Sequence, residues 1–362
     1  MTRTYQALEY DHYGDVDVLE LVEHDMPVPG DDEIVVEIVA AGLNHIENFI
    51  RRGDFQERLP LDFPIHPGSC FAGIVAKRGA NVKDLRNGSA VIGHVIGGGS
   101  HATYAVVPRS QVVAKPDNIP WEVAGGLYLA GTTAYSIVEG LDVTRDDVVV
   151  ISAAAGGVGS LECQLAMVRG AKVIGTCSPH NHDYLRSIGV VPVTYGEGIE
   201  DRIRKAAGRD VTVFIDNFGG DNPTLSAALG VDPSRFVSSD DRLDTEIRFL
   251  KADASDEENP RILTALTKLL SEKKVRILIS GFYPFEYIAQ AFADMAEMHS
   301  RGKVVVGMKP VETGSRSGWY LSGKARVLHE VARPIDDPRE IPEADEAVDS
   351  SKVAASLGAP TS

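Results

Sequence analysis

The spacing of hydrophobic and polar positions changes once along this chain, near Trp121. Before it come short runs bounded by Gly, Asp, Asn and Pro. Glu33–Val39 starts in alternation and ends apolar, and 73–77, 90–93 and 102–107 are similar. Such runs read as strands, and a succession of them predicts an antiparallel, barrel-like domain over residues 1–122. Asn44–Arg52 interrupts the strands with Ile46, Phe49 and Ile50 at helical spacing, a short core-facing helix. After Trp121 the period lengthens. A helical stretch at 121–139 leads into strands expected at 148–152, 172–176, 190–193, 211–215, 235–238 and 247–250, with helices between them. That alternation predicts an α/β domain over 123–272 with a doubly wound parallel sheet. A helix at 258–272, a strand at Val275–Ser280, a helix at 285–299 and a strand at Lys303–Val306 follow.

The second domain is organised by its first strand. Val148, Val149, Val150 and Ile151 are four β-branched residues in a row, as in a strand buried on both faces. Ser152-Ala153-Ala154-Ala155-Gly156-Gly157-Val158-Gly159 follows, then a helical stretch from Ser160 to Arg169. A strand, a small-residue turn and a helix N-terminus make an anion site, because the first-turn N–H groups are unpaired and the helix dipole is positive there. In this setting the glycines point to a dinucleotide pyrophosphate.

Composition narrows the class. The chain has 362 residues, 43% hydrophobic and 24% charged, enough for two packed domains. Its net charge of −16 argues against nucleic acid or an anionic membrane as partner. No apolar run reaches the roughly 18 residues of a membrane helix. Cys70, Cys163 and Cys177 are widely spaced, so a reduced, cytoplasmic setting without structural zinc is expected. Residues 331–349 carry seven acids, two bases and three prolines, and 310–362 is expected to be a mobile tail.

Six stretches stand in a recognisable order: Ala41-Gly42-Leu43-Asn44, Gly68-Ser69-Cys70-Phe71-Ala72-Gly73, Leu129–Tyr135, Ala153–Gly159, Phe214–Gly220 and Arg301–Val305. On these, residues 5–307 resemble the medium-chain dehydrogenase/reductase superfamily, and within it the zinc-free quinone oxidoreductase and enone (enoyl) reductase branch. The resemblance implies a GroES-like first domain, a Rossmann-type second domain, and a return of 273–309 to the first. Zinc-dependent members place Cys where Asn44 stands and His where Ser69 stands, and amide and hydroxyl oxygens are poor zinc ligands beside these. No metal is therefore expected, and His45, His66, His94 and His101 are read as surface or hydrogen-bonding histidines.

The second strand of the Rossmann pattern runs into Cys177-Ser178-Pro179-His180-Asn181-His182 without the acid that would bind the ribose hydroxyls of NAD. NADPH is expected, with Ser178 and His182 donating to its extra phosphate. The resemblance adds Tyr195 there, although the Lys that relatives carry near His182 is missing. It also places Gly157, Val158 and Gly159 at the pyrophosphate, which Gly156 and Gly159 let the backbone approach, Asn217 by the adenosine, and Thr133, Phe249 and Ser300 around the nicotinamide.

With no Lewis acid expected, the acceptor must already be activated, as a quinone or an α,β-unsaturated carbonyl is. Asn44 is the candidate that stabilises the developing enolate, and equally the N-cap of its helix. Phe49 replaces a Tyr common in relatives; Tyr128 could supply the lost phenol or pack between domains. Two other readings share these motifs: an enoyl-thioester reductase, and an NADP(H)-binding redox sensor or structural protein without turnover. Relatives commonly form homodimers, for which Arg235–Ser238 or Val275–Ser280 could supply an edge strand.

Overall fold

Two sheets, one antiparallel in the main and one wholly parallel, meet across a shared apolar core. The computed structural model describes residues 3–251, 257–297, 301–309, 311–313 and 316–318. In the first body, β1 (Thr4–Glu9) and β2 (Glu20–Asp25) form an antiparallel ribbon. β3 (Glu33–Leu43) leads into helix α1 (His45–Arg52), which ends at Gly53 in the left-handed conformation. β4 (Cys70–Arg78), β5 (Ala90–His94), β6 (Tyr104–Pro108) and β7 (Val112–Ala114) complete the antiparallel part of the larger sheet.

The connecting helices are α2 (Trp121–Gly125) and α3 (Tyr128–Gly140). The second body alternates as β8 (Val148–Ile151), α4 (Gly159–Val168), β9 (Lys172–Cys177), α5 (His182–Ser187), β10 (Val191–Thr194), α6 (Ile199–Ala207), β11 (Val213–Ile215), α7 (Asn222–Ala228) and β12 (Phe236–Val237). Its sheet order is β10-β9-β8-β11-β12, with every pairing parallel. All four residues of β8, its central strand, are fully buried, as β-branched residues inside a two-faced sheet should be. A doubly wound sheet with a crossover at β8 places its ligand crevice beyond the carboxyl ends of the strands.

Then come α8 (Ser239–Leu250), α9 (Glu258–Ser271), β13 (Ile279–Pro284), α10 (Ile288–Ala296), β14 (Lys303–Gly307) and the small pair β15 (Val311–Thr313) and β16 (Arg316–Gly318). β14 pairs antiparallel with β3 and parallel with β13, so the chain does return to the first body. One apolar cluster runs from Ala40, Cys70 and Ile92 through Tyr128 and Leu129 to Val149 and Ile151. Among the described residues no helix is long and apolar enough to cross a membrane.

Two expectations are corrected. Residues 247–250 are not a strand but the last turn of α8. Ser238 caps that helix by accepting the Asp241 N–H (3.1 Å), Asp240 and Asp241 sit at its positive end and Arg248 at its negative end. The strand expected at Val275–Ser280 is β13, shifted to Ile279–Pro284 by its register against β14. Residues 319–362, most of the expected tail, lie outside the described residues.

Candidate functional site

The crossover strand delivers its turn to the junction of the two bodies. Gly156 forms a parallel bridge with Gly302, whose N–H donates to Ala155 O at 2.9 Å. Each of two glycines has a steric reason to be glycine. A Cβ on Gly159 would sit 2.6 Å from Ala153 O, so α4 could not start so close to its strand. A Cβ on Gly157 would meet the Lys303 side chain at 2.9 Å. Val158 stands at the N-cap position of α4.

Lys303, at the head of β14, is therefore threaded under the glycine turn. Its Nζ donates to Leu43 O and to Asn44 Oδ1, both at 2.6 Å. Asn44 caps α1 and is 6% exposed; its backbone N–H donates to Glu47 Oε2 at 2.9 Å. Its Nδ2 donates to Glu47 Oε1 at 3.1 Å and, more weakly, to Ser69 Oγ at 3.4 Å and Cys70 Sγ at 3.5 Å. From the other body, α8 brings the Arg242–Glu246 ion pair (2.8 Å) close enough to act on this group. Burial lowers the Lys303 ammonium, while Cys70, Glu47 and Glu246 favour its charged form. Burial raises Glu246, opposed by Arg242 and Lys303. The result is a buried amide with an ammonium on its oxygen, at the boundary between nucleotide turn and first domain.

The sequence singles out Asn44, Ser69 and Cys70 but not Lys303. A lysine heading a strand ordinarily reaches solvent, and only the convergence of both bodies buries this one. Cys70 is a buried filler: it accepts the Leu129 N–H at 3.3 Å, and burial pushes its thiol up. Tyr128 packs between the bodies. Its ring stacks on His94 at 4.2 Å, its hydroxyl lies 3.2 Å from Phe249 O and 3.1 Å from Asn259 Oδ1, and burial pushes the phenol well up. That environment makes it a poor proton donor.

The remaining predicted positions fall in two groups. Thr133 is fully buried on α3 and its hydroxyl has no partner, while Phe249 is buried on α8 against the Tyr128 ring. Ser300 lies outside the described residues. At the end of β9, Ser178 Oγ is 3.1 Å from His180 Nδ1 and accepts from Asn181 Nδ2 at 3.3 Å. His182 instead turns its Nε2 to Thr194 Oγ1 (3.1 Å), so His180 is the histidine paired with Ser178. Arg301 reaches this turn from far along the chain, donating to Asn181 Oδ1 (2.8 Å) and His180 O (3.0 Å). It puts a guanidinium beside the turn where the sequence lacks a lysine. Tyr195, just after β10, is about half exposed. Asn217 is held by Ser152 and by Glu162, whose Oε2 accepts its Nδ2 at 2.6 Å, yet its own Oδ1 is buried without a partner.

Comparison with known proteins gives consistent matches. Residues 30–117 match a family model described as an alcohol dehydrogenase GroES-like domain, and residues 198–306 one described as a zinc-binding dehydrogenase. Over 325 residues the chain is 34% identical to the chloroplastic NADPH-dependent alkenal/one oxidoreductase of Arabidopsis thaliana, with 83% of this chain and 79% of that one covered. It is 32% identical to the 2-methylene-furan-3-one reductase of Solanum lycopersicum, with 83% and 78% covered. Among solved structures, the quinone oxidoreductase from Coxiella burnetii aligns with a TM-score of 0.73 at 28% identity, over 85% of this chain and 100% of that one. The second family description names a zinc, and the donor set at the junction does not fit one. Asn44 offers an amide already bonded to an ammonium, Ser69 a hydroxyl, and Cys70 a thiol whose ionisation burial opposes.

Proposed function

The chain belongs to the medium-chain dehydrogenase/reductase superfamily, with quinone oxidoreductases and alkenal/one reductases as its relatives, and from that premise we propose that it reduces quinones or α,β-unsaturated carbonyl compounds with NADPH and without zinc. The observation that carries this reading is the Lys303–Asn44 pair lying directly under the glycine turn. A polarised amide and a buried cation at that junction suit an acceptor whose oxygen gains negative charge during the reaction.

The residues present fit the cofactor. The Gly156–Gly159 turn at the start of α4 would hold the pyrophosphate, and Ser178, His180 and Arg301 the extra phosphate. Thr133, with its unpartnered buried hydroxyl, would meet the nicotinamide end, and Asn217 Oδ1 the adenosine half. When bound, NADPH supplies the hydride that an activated carbon–carbon double bond or quinone accepts. The chain's own part is to hold the acceptor carbonyl against Asn44 and Lys303. Lys303 draws on Asn44 Oδ1 and so makes Nδ2 a stronger donor. One N–H is held by Glu47 Oε1, and the second, held only weakly by Ser69 and Cys70, would turn to the carbonyl oxygen, whose arriving charge the ammonium offsets. Proton delivery is left to water, because Phe49 has no hydroxyl and the Tyr128 hydroxyl is engaged.

Three free, buried cysteines support a reduced, cytoplasmic setting. β12 and β13 each end their sheets, which supports edge pairing in a homodimer. The reading is tested by steady-state nicotinamide oxidation against quinones and enones. It expects acceptor-dependent turnover, with kcat/KM higher for NADPH than for NADH. A protein that binds NADPH yet turns over no acceptor would be a sensor instead, and one active only on enoyl thioesters would be an enoyl-thioester reductase.

A further inference from the structure

Away from the junction, the structure joins three side chains that nothing in the sequence pattern connects. Glu9 ends β1, His24 lies in β2, and His66 is in the loop that precedes Ser69. Glu9 Oε2 is 3.3 Å from His24 Nε2 and 3.6 Å from His66 Nδ1, and all three ligand atoms lie within 4.8 Å of one another. We propose that Glu9, His24 and His66 form a binding site for a zinc-like divalent transition metal, separate from the reductase site.

Bonds of about 2.0–2.2 Å to imidazole nitrogen and carboxylate oxygen put tetrahedral ligand atoms about 3.4 Å apart. Two edges of the observed triangle already match that spacing, and the third lies within 4.8 Å. Each ligand is held by its own backbone. Tyr10 and Ile65 exchange two main-chain hydrogen bonds, at 3.1 and 2.8 Å, which sets His66 beside Glu9. The His24 ring rests against Tyr5 at 5.6 Å, opposite it in the ribbon register. His24 Nε2 is shut off from solvent and faces the Glu9 carboxylate without hydrogen-bond geometry, so the nitrogen is turned into the cluster rather than to water. The His66 side chain is 40% exposed, which leaves a path in for the ion and room for a water as fourth ligand. Two imidazoles with one carboxylate favour zinc, cobalt, nickel or copper over calcium or magnesium, which take oxygen. Bound there, a metal would tie the β1–β2 ribbon to the loop leading into Ser69 and Cys70.

The test uses the full chain after treatment with a chelator. Cobalt(II) is titrated and followed by calorimetry and by the visible ligand-field band of a four-coordinate site, then displaced with zinc. The expected result is one saturable equivalent. Glu9→Gln, His24→Asn and His66→Asn should each weaken binding by more than about 10-fold, since even an outer-shell partner of a metal ligand is worth that much. His12→Asn, a surface histidine paired with Asp11, should leave it unchanged. Circular dichroism of the metal-free variants checks that they fold, and the near-isosteric Glu9→Gln keeps the test decisive if a histidine variant does not. Absence of saturable binding, or binding retained in the His24→Asn/His66→Asn double variant, would overturn the proposal and leave an ion-paired surface triad. Metal binding is read without turnover, so its failure is distinct from failure of the reductase reading.

Discussion

The Lys303–Asn44 contact is the residue-scale feature on which the chemistry turns. An ammonium taken out of water is costly unless it is paired and hydrogen-bonded, and Lys303 meets this with two acceptors at 2.6 Å and nearby carboxylates. Asn44→Ala should lower kcat and kcat/KM together by roughly 10²-fold, the loss typical of one oxyanion donor. Lys303→Met should do the same, because it removes the charge that polarises the amide. NADPH affinity of Asn44→Ala, read by nicotinamide fluorescence, should hardly move. Normal kinetics with a stability loss of about 1 kcal/mol would instead leave Asn44 with its cap role alone. Asn44 is legible from sequence because cap and site fall on one recognisable loop. Lys303 is not, since its burial depends on two elements some 260 positions apart in the chain.

At the scale of elements, the strand–turn–helix unit β8–α4 is where sequence and structure agree most closely. Its pattern is local: β-branched residues, then small ones, then a helix. Gly159→Ala should cost about 1–3 kcal/mol of stability, the usual range for overpacking, because the added methyl meets the Ala153 carbonyl at 2.6 Å. Gly156→Ala, whose nearest neighbour would be 3.2 Å away, should cost less. Denaturant midpoints of the two variants compare them directly. Residues 247–250 show where local reading fails. Ile247, Phe249 and Leu250 suit a strand, but a capping box at Ser238 starts a helix that runs through them, and among the described residues no strand pairs beyond β12. The phosphate turn fails similarly: the missing lysine is a local fact, whereas Arg301 beside Asn181 is a tertiary one.

For the whole molecule, the interface between the two bodies contains a histidine that ties stability to pH. His94 is 2% exposed and stacked on Tyr128, and burial lowers its pKa from 6.5 to about 4. The unfolded chain therefore binds a proton near pH 6.5 that the folded chain refuses until about pH 4. The stabilising contribution is fully present above 6.5 and is lost as pH falls through that window. At about 1.4 kcal/mol per pKa unit, moving from pH 7 to 4.5 should remove about 2–3 kcal/mol. His94→Phe, which keeps the stacked ring, should make that part of the urea-unfolding profile shallower by that amount, the slope that remains belonging to His45 and His101, which burial also lowers. A profile equally steep in the variant would assign the acid sensitivity elsewhere.

The central claim is that this junction directs hydride to an activated acceptor without a catalytic metal. It is tested most directly by following deuterium from C4-labelled NADPH into an enone, using protein kept in chelator. The account predicts label at the β-carbon of the saturated ketone, at a rate unchanged by the chelator and sharply reduced in Lys303→Met. Turnover that requires added zinc, or a product with no deuterium at the β-carbon, would contradict it.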